Sequence, residues 1–180
     1  MIVFVNPRAT RPRNRRFPLS LMAVGAALPE GTEWEIVDGN RPGIDPLAEI
    51  VQRVEARRGT VDPVRAVAFT VMPGPQLASA VPLTKAVKAR CPEVATVWGG
   101  NFGSLYPAPV LNAPYVDWLV RGQGEHAFLE LLEVLDGRRE PKSVAGLCWR
   151  QEDGTHRSNL ERPWVGPGEL PPPPYHRIDV

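Results

Sequence analysis

Five times within the first 137 residues a short apolar run is followed, after a turn, by a stretch with helical spacing. This alternation constrains the fold more than any other feature of the chain. Strands linked through helices by such short connections lie parallel, and strands apolar on nearly every residue are covered on both faces. The runs are Ile2 to Val5, Glu33 to Asp38, Arg65 to Val71, Val94 to Trp98 and Val116 to Val120. Only the second alternates polar and apolar residues, so it reads as less buried than the first. Helical patterns follow from about Phe17 to Leu28, from an N-cap at Asp45 to Arg58, from Leu77 to Arg90, and from Glu125 to Leu135, where Gly137 closes the helix. Pro82 interrupts the third, as a kink or as the helix's true start. A short helical piece fits Pro107 to Asn112. With right-handed crossovers, the pattern yields an α/β fold with a five-stranded parallel, doubly wound sheet in strand order 2-1-3-4-5.

This flavodoxin-like core accounts for residues 1–140. Residues 141–160 read differently: Val144 to Arg150 and Thr155 to Ser158 flank a tight Asp153-Gly154 turn, giving a small C-terminal β-hairpin. Residues 161–180 form a Pro-rich tail around Leu170-Pro171-Pro172-Pro173-Pro174-Tyr175, in a chain with 21 prolines among 180 residues. Such a stiff segment serves as a linker toward a further domain or lies across the surface of this one.

Composition removes several classes. A net charge of +1 argues against nucleic acid as a partner. Two cysteines, Cys91 and Cys148, cannot build a disulfide scaffold. No apolar run reaches the ~18 residues of a membrane span, and no secretory signal is visible, so a cytoplasmic protein without membrane contact is expected. His126, His156 and His176 are far apart and no cysteine stands at metal spacing, so no metal ligands are nominated. No nucleophile–base set or Walker loop is recognisable, so no catalytic residue is nominated either.

Open parallel sheets bind ligands beyond the carboxyl ends of their strands, where the strand order reverses. Four loops line that edge here: Asn6 to Arg16, Thr70 to Gln76, Gly99 to Tyr106 and Arg121 to Glu125. The first packs Arg8, Arg11, Arg13, Arg15 and Arg16 into nine residues, as a solvated loop or a ligand-facing one. Gly99-Gly100 leaves two positions without a Cβ directly after a strand, either for a turn or for close approach of a flat ligand. Gly122-Gln123-Gly124-Glu125-His126-Ala127 has the G-x-G-x-x-A form of a dinucleotide turn. It follows the fifth strand, however, and no later strand carries the acidic ribose partner, so a tight turn touching another ligand is the better reading.

Together these motifs resemble the N-terminal cobalamin-binding domain of cobalamin-dependent radical S-adenosylmethionine (SAM) enzymes, over essentially the whole chain. Cobalamin domains carry Ser-x-Leu at the end of strand three and Gly-Gly after strand four. Thr70-Val71-Met72 takes the first position here, and residues 73–98 separate it from Gly99-Gly100. The radical branch commonly ends strand five in Arg-Gly-x-Gly-Glu, matching Arg121-Gly122-Gln123-Gly124-Glu125. Trp98 to Asn101, Val116 to Val120, the Gly146-Leu147 hairpin and the Leu170 to Tyr175 link share its look. The resemblance implies that cobalamin is the cofactor and that its dimethylbenzimidazole tail lies against Gly99 and Gly100. It further implies that Thr70 bonds the ring nitrogen, and that Asn6, Pro7, Arg8, Met72, Pro73, Gly74, Asn101, Phe102, Arg121, Gly122, Gly124 and Glu125 complete the site.

Two departures bear on function. The cobalt-ligating Asp-x-His-x-x-Gly of the wider family is absent, so the resemblance implies base-off cobalamin without a protein histidine on cobalt. The Cys-x-x-x-Cys-x-x-Cys of the radical domain is absent too. SAM and a 4Fe–4S cluster would therefore belong to a radical SAM domain outside this chain, in cis or in trans. The chain itself is expected to be a non-catalytic module of such an enzyme, a methyltransferase moving a methyl group from SAM through cobalt to a substrate radical. A flavodoxin-like nucleotide-binding domain using residues 122–127, or a non-catalytic interaction module, are the alternatives.

Overall fold

The structure, a computed structural model, describes residues 1–10 and 17–177. The Arg11, Arg13, Arg15 and Arg16 part of the arginine loop lies outside the described residues. Five parallel strands form the centre: β1 (Ile2–Asn6), β2 (Trp34–Asp38), β3 (Ala66–Thr70), β4 (Ala95–Gly99) and β5 (Trp118–Val120), in the order β2-β1-β3-β4-β5. All five residues of β1 are buried, as a central parallel strand between two helix layers requires.

The helices divide between the faces. On one side α1 (Leu19–Ala26) contacts α6 (Gly124–Leu135), over a core of Ile2, Phe4, Leu21, Phe128, Leu131 and their neighbours. On the other, α2 (Pro46–Arg57) contacts α3 (Pro75–Arg90), and α4 (Asn101–Leu105) and α5 (Pro107–Leu111) follow, over Val3, Val5, Val67, Phe69 and Trp98. Asp45 caps α2 as its sequence predicts, its carboxylate accepting the N–H groups of Leu47 at 3.0 Å and Ala48 at 3.2 Å. Trp98, fully within the core, satisfies its indole N–H on Thr84 Oγ1 at 3.0 Å.

Three expectations are corrected. Among the described residues the sheet has seven strands, the five parallel ones expected and two more. The hairpin strands β6 (Leu147–Arg150) and β7 (His156–Ser158) join the same sheet, β6 pairing antiparallel with β5 in the register Trp118↔Trp149, Leu119↔Cys148, Val120↔Leu147. β5 is apolar on all three residues and would otherwise be an open edge, and pairing covers it. Pro82 does not start α3, which begins at Pro75 behind the left-handed Gly74 and runs through Pro82. Ala78 and Pro82 both lie on the exposed side, so the carbonyl that loses its donor meets water. Finally, residues 101–105 form a helical turn rather than a loop. Gly103 packs it against Leu119 so closely that a Cβ there would meet Leu119 Cδ1 at 2.4 Å.

Candidate functional site

Successive residues of a strand point to opposite faces. In β3 and β4 this sorts side chains by size. Phe69 and Trp98 enter the core under α2 to α5, whereas Ala68 and Val97 face α1 and α6. The register sets Ala68 beside Val97 and Thr70 beside Gly99. The carboxyl ends of the two strands thus carry only small groups on the α1/α6 side. A cavity of about 230 Å³ opens there. Its floor includes Ala68, Thr70, Gly99 and Val120; its walls are Phe4, Ser20, Leu21, Val24 and Phe128; its rim is the turn from Gly122 to Glu125 together with Trp164.

The adjacent glycines do different work. Among the described residues a Cβ on Gly99 would touch only the Val120 carbonyl, at 3.8 Å, so this glycine keeps the cavity open rather than relieving a clash. Gly100 sits at φ +88°, and a Cβ there would come within 2.9 Å of the Val71 nitrogen. It is demanded by the chain itself: Phe102 donates to the Val71 carbonyl and Val71 to the Gly99 carbonyl, both at 2.9 Å, folding the loop after β4 back on the end of β3. At the mouth, the hydroxyls of Thr70 and Ser20 lie 3.2 Å apart. If Ser20 donates to Thr70, the Thr70 proton is left to a ligand.

The G-x-G-x-x-A turn is explained by its own packing. Gly122 takes φ +70°, and its N–H donates to Ser104 Oγ at 3.0 Å. Gly124 brings α6 against α1, where a Cβ would meet Val24 Cγ2 at 3.4 Å, and Ala127 is fully buried. Arg121 turns away toward the carboxyl-terminal segment, donating to Ser158 Oγ at 3.1 Å and to Glu161 at 2.5 Å.

The other half of the carboxyl edge is closed by a buried polar network. Asp38 Oδ1 accepts from Asn6 Nδ2 at 3.0 Å, from Asn40 Nδ2 at 3.0 Å and from the Asn40 backbone at 3.1 Å. Asn40 Oδ1 accepts from the N–H of Ala9 at 2.8 Å and of Thr10 at 3.1 Å. Gln76 donates to Asn6 Oδ1 at 2.9 Å and accepts from the Met72 N–H at 2.8 Å. The loops after β1, β2 and β3 are thereby tied into one unit.

Of the residues nominated from sequence, Thr70, Gly99, Gly100, Gly122, Gly124 and Glu125 come together around the cavity. Asn6, Pro7, Arg8, Met72, Pro73, Gly74, Asn101, Phe102 and Arg121 do not line it. Asn6 is a buried network member, Met72 is 55% exposed, and Phe102 packs against Tyr106 with ring centroids 5.5 Å apart. Sequence reasoning missed Ser20, Gln123 and Trp164, and the apolar walls. The cysteines are both buried, and burial pushes the Cys91 thiol up, as suits core residues rather than nucleophiles. Among the described residues no three His, Cys, Asp or Glu side chains converge, and no helix is long and apolar enough to cross a membrane.

Comparison with family models matches residues 9–132 to the B12 binding domain, more than half of the chain. The chain belongs to the B12-binding domain family. Among curated proteins, this B12-binding domain is 34% identical over 74 residues to the cytidylyl-2-hydroxyethylphosphonate methyltransferase of Streptomyces wedmorensis, covering 41% of the chain and 14% of that protein. It is 28% identical over 167 residues to an uncharacterized methyltransferase of Pyrococcus horikoshii, covering 91% of the chain and 34% of the relative. The chain therefore spans about a third or less of these relatives. Two solved structures share the fold. The cobalamin-dependent SAM radical enzyme OxsB, with aqua-cobalamin and SAM bound, superposes with a TM-score of 0.72 at 16% identity, over 91% of the chain and 22% of OxsB. The radical SAM methyltransferase TsrM of Kitasatospora setae, with cobalamin and a 4Fe–4S cluster bound, gives 0.71 at 22% identity, over 95% of the chain and 30% of TsrM.

The cavity fits part of such a cofactor. Sites that enclose a whole drug-sized ligand run to roughly 300–1,000 Å³. A smaller cleft with an apolar floor, an open Gly99 and a hydroxyl pair at one end suits a single flat heteroaromatic ring carrying a hydrogen-bond acceptor.

Proposed function

We propose that this B12-binding domain is the cobalamin module of a radical SAM enzyme of the methyltransferase type, and that it takes the cofactor base-off with the dimethylbenzimidazole in the cleft under α1 and α6. The observation that supports the reading is the size sorting in β3 and β4, with Ala68, Thr70 and Gly99 together on the face that lines the cleft. Leu21, Val24, Val120 and Phe128 exclude water from the ring. Thr70, oriented by Ser20, donates to the ring nitrogen that has left cobalt. Met72, Pro73, Gly74, Asn101 and Arg8 stand at the carboxyl edge outside the cleft, where the corrin rim would lie. Cobalamin, when bound, supplies a cobalt that can carry a methyl group. The chain's part is to bind and orient it, and the reaction needs a radical SAM domain, in cis or in trans, holding SAM and its cluster.

Mixing the purified chain with hydroxocobalamin, desalting and recording the visible spectrum tests the proposal. The expected result is stoichiometric corrin retention with a base-off spectrum. A colourless protein, or retained corrin with a base-on spectrum, removes the reading.

A further inference from the structure

The segment after β7 is anchored at a series of points, the last of them at the rim of the cleft. Asn159 donates to the Leu147 carbonyl at 3.0 Å and, through its side chain, to those of Pro141 at 2.8 Å and Val144 at 2.7 Å. The Leu160 carbonyl accepts from Gly146 at 2.7 Å. Glu161 pairs with Arg121, and Arg162 with Glu130 on α6. Gln123 grips the backbone of Val165 from both sides, accepting its N–H at 2.9 Å and donating to its carbonyl at 3.3 Å. Between the last two anchors stands Trp164, a rim residue of the cavity whose surface is 79% exposed.

A tryptophan flanked by anchored residues, Arg162 through its side chain and Val165 through its backbone, yet left bare at the mouth of an apolar slot, has already lost part of the freedom that binding would otherwise cost it. We infer that Trp164 is a specificity residue which stacks on the nucleotide base of bound cobalamin and closes the cleft over it. This rests on the proposed placement of the dimethylbenzimidazole. Residues 159–165 then act as a clasp as well as a connection, and the anchors from Arg121, Gln123 and Glu130 serve to hold the indole over the slot.

The test compares cobalamin with cobinamide, which lacks the nucleotide tail, by equilibrium dialysis against the whole chain. Stacking of a base on an aromatic side chain corresponds to about tenfold or more in affinity. The wild-type chain should prefer cobalamin. Trp164→Ala should weaken cobalamin about tenfold and leave cobinamide unchanged, while Trp164→Phe should restore most of the loss. Because Trp164 is exposed, both variants should keep the wild-type circular dichroism spectrum. Unchanged cobalamin affinity in Trp164→Ala, or an equal loss for both corrinoids, overturns the clasp and leaves the tail in the cleft. A wild-type chain with no preference between the two overturns both inferences together.

Discussion

The two halves of the carboxyl edge meet at β3 and solve opposite problems. Around β2, β1 and β3 the chain fills its own crevice: Asn6, Asp38, Asn40 and Gln76 are all less than 10% exposed and bond to one another and to the loop backbone. Around β3, β4 and β5 the described residues leave a cleft open, with alanine, threonine and glycine where larger residues would pack. Buried polar groups that satisfy one another make a rigid, finished surface. An apolar slot without a side chain to fill it gives up packing energy in the free protein, which a ligand can restore. On the proposed reading the first half is a fixed surface beside the corrin rim and the second receives the base, so a residue's distance from the edge says less about its role than which half it occupies.

The largest effect should come from filling the slot. Gly99→Trp should abolish corrin retention, because the indole would take the ring's place, while the melting temperature changes little, since among the described residues only the Val120 carbonyl lies near the new Cβ. Gly100→Ala should do the reverse at the level of the fold. A positive φ costs an L-residue about 1–2 kcal/mol, and the 2.9 Å approach to Val71 adds to it. Calorimetry and desalting on the two variants separate the roles of the adjacent glycines; equal losses of stability would erase the distinction.

Next comes the closed half. Asn40→Ala removes one of the donors to Asp38 and takes the side-chain acceptor from the partly buried N–H groups of Ala9 and Thr10. A loss of about 2–4 kcal/mol is expected, a fall in melting temperature of roughly 5–15 °C for a chain of this size. Cobalamin affinity, measured well below that transition, should stay within a few-fold of wild type. A selective loss of binding with unchanged stability would mean that the network is part of the receptor.

The elements behind the order β2-β1-β3-β4-β5 were legible because period and punctuation both report them, and right-handed crossovers gave the order: apolar runs end in Asn6-Pro7, Pro73-Gly74 and Gly99-Gly100, and Asp45-Pro46 starts a helix where a cap is needed. The antiparallel extension was not, because a hairpin pattern says how two strands meet each other and not which edge they join. Within the site, Gly99 and Thr70 stood out as strand-end residues. The size alternation in Ala68-Phe69-Thr70 and Val97-Trp98-Gly99 was also present in the sequence, and read at period two it identifies the open face. Asn6 was nominated as a ligand contact for its position, but its side chain is committed to Asp38 and Gln76 by a fold that brings residues 32 and 70 positions away against it. Trp164 carried no local signal, since only tertiary contacts bring it to the rim.

Smaller effects sharpen the contrast. Thr70→Val keeps the shape of the cavity and removes one hydroxyl. One neutral hydrogen bond is worth about 0.5–1.5 kcal/mol, so cobalamin should bind about 2- to 10-fold more weakly, with cobinamide unaffected. An equal loss for both would place Thr70 under the corrin instead of beside the ring.

The smallest effect lies away from both halves, at the end of α6. Partial burial there works to raise the Asp136 carboxyl, but hydrogen bonds from Arg138 and Arg65 outweigh it and hold the group below the usual aspartate range. A carboxylate lowered in the folded state adds stability that is fully present above its unfolded value near 3.9 and is lost as pH falls through the folded value. The partners are a quarter or more exposed, so solvent screening keeps the contribution under about 1 kcal/mol. Arg65→Ala should therefore lower the melting temperature by no more than a few degrees at pH 7, and the difference from wild type should shrink as the pH is taken below 4. Corrin retention at pH 7 should not change, because the pair ties the start of β3 to the far end of α6 and reaches neither the polar network nor the slot.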